Sequence, residues 1–256
     1  EDFSRKGKGT ALVIQKLAEE FVKNFEDRIE LAIIRKEGNC EHPLAKKIRN
    51  IEIKVYRLPF LSTLISYLIF FLTNREEFDI VMFNKFVYPG FWFLNSKKFV
   101  LLAHDAPVSS VYKLKLALGS KLFYWFLGRI GKHYLDVIIA DSDDARREVI
   151  NYHNISPGKV FKVYCAAGSE FRKFAVSEKI EIQSVLAERY QIRPPYILDV
   201  SRIEPHKNIN KLIDAFVVLK HRYHLPPKLV IVGGRHLAEY TQVIEVKIAK
   251  SDIGKE

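Results

Sequence analysis

Apolar residues recur along this chain in two rhythms. In "TALVIQKLAEEFVKNF", Ala11, Val13, Ile14, Leu17, Ala18, Phe21 and Val22 share one face of a helix. The runs "IELAII" and "IEIKVYRL" lack that period and predict strands. Past the uncharged "FLSTLISYLIFFLT" come two more, "FDIVMFN" and "KKFVLLAHD". The helix "LKLALGSKLFYWFLGRIGKHY", the strand "DVIIADS", the helix "DDARREVINYH" and the strand "KVFKVYCA" follow in turn. After a polar, charged stretch from Arg172 to Glu181, a short helix leads to the strand "YILDVSR". The helix "INKLIDAFVVLKHRY", the strand "KLVIVGG" and the helix "LAEYTQVIEVKIAK" complete the order.

Short apolar strands alternating with helices predict an α/β fold whose parallel sheets are covered on both faces. Two Rossmann-like units are expected, over residues 1–175 and 195–256, joined by a linker at 176–194. Two strands and two helices do not cover both faces of a sheet, so the second unit is expected to continue beyond Glu256. A strand is likewise expected before the loop "SRKGKGTA".

Composition narrows the class. Apolar residues make up 48% and charged residues 28%, as in a globular protein, and the net charge is +11. That surplus favours phosphate-rich partners or an anionic membrane surface. The charges are interspersed, with no polybasic block, which speaks against nucleic acid. Cys40 and Cys165 lack metal or redox spacing and suit a reducing, cytoplasmic setting. The window Phe60–Thr73 is shorter than the ~18–20 residues that span a bilayer. It predicts a core helix, with packing on a membrane interface as the other reading.

The richest chemistry lies in "SRIEPHKN", where a strand read as buried gives way to a helix. Ligands of open parallel sheets sit beyond the carboxyl ends of the strands. Arg202 can fork onto two phosphate oxygens, and Lys207 adds a point charge. Asn208 is expected to cap the helix, whose amino end favours an anion. The competing reading pairs Arg202 with Glu204 and leaves Lys207 solvated.

The segment "YILDVSRIEPHKNINKLIDAFVVLKHRYHLPPKLVIVGG" resembles the start of the C-terminal domain of the GT4 family, retaining glycosyltransferases of GT-B fold. The likeness extends upstream through "DVIIADSDDARREVINYHNISPGKVFKVYCAAGSEF" and "FVLLAHDAP". It implies that Arg202 and Lys207 bind the diphosphate of a UDP- or GDP-sugar, with Asn208, Gly233 and Gly234 beside the nucleotide. It places His104 beside the donor sugar, in a catalytic role with Arg202 and Lys207. Asp105 is expected to orient that ring or to contact the acceptor, and Ser142 to contact acceptor or sugar. Gly7 and Gly9, with Thr10, open the first helix as a loop near donor phosphates, flanked by Lys6 and Lys8. Where the family carries Asn-Gly-Val-Asp, this chain reads Ala167, Gly168, Ser169, Glu170.

The resemblance thus implies a hexosyltransferase with no cofactor and no metal. The acceptor would be a glycan or lipid-linked sugar of a cell-envelope polysaccharide, and the enzyme peripheral on the inner face of the plasma membrane. The family's Glu-x7-Glu motif is expected beyond Glu256, so these 256 residues alone are expected to be inactive. Two rivals differ in class. A dinucleotide oxidoreductase needs G-x-G-x-x-G after a strand, and "GKGTALV" lacks the third glycine. A basic binding module without catalysis needs interleaved aromatics on one face. Here the aromatics lie in apolar runs such as "PGFWFLN" and "KLFYWFLGRI" and are expected in the core.

Overall fold

A computed structural model of the chain describes residues 9–37, 42–56, 62–84, 90–104, 129–168, 171–224, 227–235 and 237–251. The chain forms two compact units, Glu1–Glu170 and Phe171–Glu256.

In the first unit, α1 (Gly9–Phe25) precedes β1 (Ala32–Lys36) and β2 (Arg49–Ile53), which pair in parallel. Ala18 of α1 is buried against Leu44 and Ala45, with Ile14, Val22 and Ile33 around them, so the face read from the sequence is the one that packs. A second sheet has the order β3 (Glu77–Phe83), β4 (Asn95–Ala103), β5 (Val137–Ala140), β6 (Val160–Lys162), all parallel. Phe99 to Ala103 are all buried, as in a strand covered on both sides. β6 is shorter than its apolar run, because its register with β5 ends at Lys162 opposite Ala140, the last residue of β5.

α2 (Ser62–Thr73) is the uncharged helix. Tyr67 and Phe71 are buried in the main core, while Leu68 and Leu72 are exposed, so one face packs and the other is free of core contacts. Among the described residues no helix is long and apolar enough to cross a membrane. Of "PGFWFLN", Phe91 is buried and Phe93 is half exposed. Most of "KLFYWFLGRI" lies outside the described residues. The helix α3 is described over residues 129–134, and α4 (Asp143–His153) follows β5. Ala145 and Val149 anchor α4 on the sheet.

The second unit opens on α5 (Val176–Tyr190), a helix of 15 residues. The short helix expected after the charged stretch thus starts earlier, inside that stretch, and fills most of the segment taken as linker. The Glu178 carboxylate accepts from the Ala175 N–H and from Arg172, closing its first turn. These charged residues serve the helix entry, which a reading by polarity misses. β7 (Tyr196–Val200) and β8 (Lys228–Val232) pair in parallel, and α6 (Ile209–Tyr223) and α7 (Ala238–Lys250) complete the unit. Ile209 and Ile213 of α6 pack with Ile244 of α7, Leu229 and Ile231.

β7 is not the buried strand expected. Leu198 is 53% and Val200 71% exposed, because the described helices bury one face of a two-stranded sheet.

Candidate functional site

The carboxyl ends of β4 and β5 carry the first group of candidates. Ala103 is paired with Ala140, so the next residues, His104 and Asp141, emerge side by side. His104 Nδ1 lies 3.0 Å from Asp141 Oδ2, and both side chains are largely shielded from solvent. An ionised carboxylate only accepts, so the imidazole Nδ1–H donates. Among the described residues, His104 Nε2 is buried without a hydrogen-bond partner.

Asp141 was missed by the sequence reading, which offered Asp105 to orient the ring or to contact the acceptor. Asp105 lies outside the described residues, as do Gly7, Lys6, Lys8, Ser169 and Glu170. The signal was present. Once β4 and β5 are taken as neighbours, register sets "AH" beside "AD".

Ser142 has a structural task. Its Oγ accepts from the Ala145 N–H at 3.1 Å and caps α4, whose first turn also holds Asp143 and Asp144. The hydroxyl expected to meet a sugar is thus already engaged as an N-cap. Cys165, exposed and free, has its thiol pushed up by partial burial and by the charge of Asp141. Beside it, Lys162 holds the Asp143 carboxyl below the usual range, with help from the Tyr164 hydroxyl. Gly168 follows in an irregular segment. Gly9 is the first residue of α1, and Thr10 the second.

In the second unit the loop from β7 to α6 is pinned to the end of β8. Ser201 N–H donates to Val232 O at 3.0 Å, and Ile203 N–H donates to Gly234 O at 3.1 Å. A Cβ on Gly233 would stand 1.7 Å from the Ser201 carbonyl oxygen. Gly233 therefore serves a close backbone approach, and the Gly234 carbonyl helps to hold the segment bearing Arg202.

Arg202 projects from this segment, half exposed. Its Nη1 lies 2.9 Å from Glu204 Oε1, and His206 Nδ1 lies 3.4 Å from Glu204 Oε2. The pairing weighed against a ligand role is thus present, and Glu204, which is 14% exposed, is the better buried partner. Lys207 is exposed at the end of the helical turn Pro205–Lys207.

Asn208 departs from the expected cap. It stands at the N-cap position in the left-handed region (φ 54°), and its side chain makes no capping bond. Its carbonyl instead accepts from Lys211 and Leu212 N–H. The preceding tight turn forces this geometry, which asparagine tolerates better than most residues. Among the described residues no group of three or more His, Cys, Asp or Glu is placed to hold a metal ion.

No family model matches the chain. Over 84 residues it is 39% identical to the "serotype-specific mannosyltransferase WbdA" of Escherichia coli, a segment that is 33% of this chain and 10% of that protein. Among solved structures, Anabaena Alr3699/HepE in complex with UDP and glucose matches 98% of this chain and 64% of its own, at a TM-score of 0.68 and 17% identity. Sucrose-phosphate synthase from Thermosynechococcus elongatus matches 97% of this chain and 63% of its own, at 0.63 and 13%. The chain therefore spans a tenth of that curated relative and just under two thirds of these structures. The parallel α/β sheets of this chain thus share the GT-B fold of these solved structures.

Proposed function

We propose that the full-length protein is a retaining glycosyltransferase of the GT4 family. It moves a hexose from a UDP- or GDP-sugar to a lipid-linked or polysaccharide acceptor. The observation that carries this reading is the β7–α6 loop. Its backbone is locked against Gly233 and Gly234, and it presents Arg202 and Lys207 at the entry to α6. The UDP complexes of HepE and the mannosyltransferase name of WbdA support a nucleotide-sugar donor.

Chemistry gives these residues their roles. The bond from anomeric carbon to phosphate oxygen breaks, and its electron pair leaves with the diphosphate. The acceptor hydroxyl oxygen bonds to the same carbon, and its proton passes to the departing phosphate oxygen. Negative charge grows on the departing oxygen, so fixed cations there stabilise the transition state more than the ground state. Arg202 forks onto the diphosphate by exchanging Glu204 for phosphate oxygens. Lys207 and the amino end of α6 add to the field. In this scheme two side-chain cations neutralise the leaving group, and no cofactor takes part. Asn208 and the two glycines keep the loop close to the nucleotide, and His104 meets the donor sugar.

In this reading the protein acts in the cytoplasm, on the inner face of the plasma membrane. Leu68 and Phe93 lie together over Gly90, and exposed Leu72 extends that patch, which with the net positive charge suits an anionic lipid surface. Sedimentation with anionic liposomes at low salt tests this, and Leu68→Asp with Phe93→Asp should abolish it. Unchanged sedimentation of that variant would remove the patch from the reading.

The central test uses the full-length protein with UDP- and GDP-hexoses. Arg202→Ala and Lys207→Ala should each lower transfer by about 100- to 1000-fold. Near-native transfer by both variants would overturn the reading. Nucleotide binding with no transfer or donor hydrolysis would favour a non-catalytic binding module.

A further inference from the structure

The His104–Asp141 pair carries an inference that goes past the placement of a histidine near a sugar. Three observations meet there. The pair is fixed by sheet register, since Ala103 and Ala140 are partners on adjacent parallel strands. The Asp141 backbone is held on both sides, by its own N–H to Ala103 O and by Val163 N–H to Ala140 O at 2.9 Å. His104 Nε2 is buried and makes no hydrogen bond among the described residues.

We propose that Asp141 is a positioning residue that holds His104 as its Nδ1–H tautomer, so that Nε2 presents a bare lone pair to a ligand hydroxyl. An ionised carboxylate has no proton to give, so the 3.0 Å contact requires the proton on Nδ1. In the neutral ring the other nitrogen is then an acceptor. Polarity follows from that assignment. A hydroxyl or N–H can donate to Nε2, whereas an anionic phosphate oxygen meets a lone pair with a lone pair. This corner of the first unit therefore takes the sugar part of a ligand and turns phosphate away. The buried, unpaired nitrogen is the group such a hydroxyl would satisfy. That the hydroxyl belongs to a donor hexose rests on the transferase reading above; the tautomer does not.

The test reads the tautomer directly, in the absence of any ligand. With histidine labelled by nitrogen-15, long-range proton–nitrogen correlation separates a protonated ring nitrogen from a bare one. Loss of one signal set in His104→Ala identifies the ring among the chain's eight histidines. At a pH where the ring is neutral, His104 should show a protonated Nδ1 and a bare Nε2. In Asp141→Asn the side-chain amide can donate to Nδ1, so the proton should move to Nε2 and the Nδ1–H form should fall to a minority. Ser142→Ala, one residue on, should leave the tautomer as it is.

An Nε2–H ring in the unaltered chain overturns the proposal. So does an Nδ1–H ring that persists in Asp141→Asn, or one lost equally in Ser142→Ala. Should Asp141→Asn not fold, the spectrum of the unaltered chain decides alone. An Nδ1–H tautomer in a full-length protein without transfer activity would sink the transferase reading and leave this pairing intact.

Discussion

Gly233 lies so close to Ser201 that a methyl group on its Cα would stand 1.7 Å from the Ser201 carbonyl oxygen. No side-chain rotation relieves a contact of that kind, because both partners are backbone. Gly233→Ala should therefore push the end of β8 away from the β7 loop and destabilise the second unit by about 1–3 kcal/mol. Hydrogen exchange reads the local effect. The amides of Ser201 and Ile203, which donate to Val232 and Gly234, should lose protection more than amides in α6. Native protection at both would show that the approach can relax.

Arg202→Lys separates charge from shape. Lysine keeps the positive charge of Arg202 and its reach toward Glu204, but not the planar fork that meets two phosphate oxygens. If the fork matters, the lysine variant of the full-length protein should bind nucleoside diphosphate about ten-fold more weakly. It should bind nucleoside monophosphate with a smaller loss if the fork grips the distal phosphate, which that nucleotide lacks. Calorimetric titration with both nucleotides checks this. Equal losses for the two would reduce Arg202 to a point charge.

The order of strands and helices was legible because each apolar run ends at a polar or glycine break, as in "DVIIADS" or "KLVIVGG". What stayed hidden depends on partners remote in the chain. Asp141 orients His104 across 37 positions, and only strand register joins them. α5 was read as a short helix that starts only after Glu181, because Arg172 and Glu178 look like loop charges until they close a helix entry. Asn208 has the right residue type for a cap, but the turn before it dictates its backbone. Val200 was read as buried because periodicity reports the potential to be covered, while burial depends on what lies on each face. Arg202 stood out by position, and its ion pair with Glu204 was foreseen only as the competing reading.

Asp136 ties stability to pH in the first unit. Its carboxylate accepts from the Phe99 N–H at 2.9 Å and from Lys98 Nζ at 2.9 Å, at the start of β4. The Phe99 bond, followed by Lys98 and Lys159, holds its pKa below the usual carboxylate value. A folded-state pKa below the unfolded one stabilises the fold above the unfolded value. That contribution fades as pH falls through the folded value. Denaturant unfolding should show the first unit weakening on acidification below the ordinary carboxylate range. Asp136→Asn should remove part of that dependence and cost about 1–2 kcal/mol at neutral pH. An unchanged acid limb in the variant would assign the effect to other carboxylates.

Cys165 reports the field of Asp141 without any ligand. Its thiol is raised first by burial and then by the Asp141 charge, and it is exposed enough to react. The thiolate is the nucleophile, so a raised thiol alkylates more slowly at neutral pH than an ordinary cysteine. The rate of iodoacetamide labelling at Cys165, followed by peptide mass spectrometry, should rise with a midpoint above that of a free thiol. Asp141→Asn removes the charge but not the burial, so the midpoint should move down without reaching the free-thiol value. A midpoint that does not move would assign the raised thiol to burial alone.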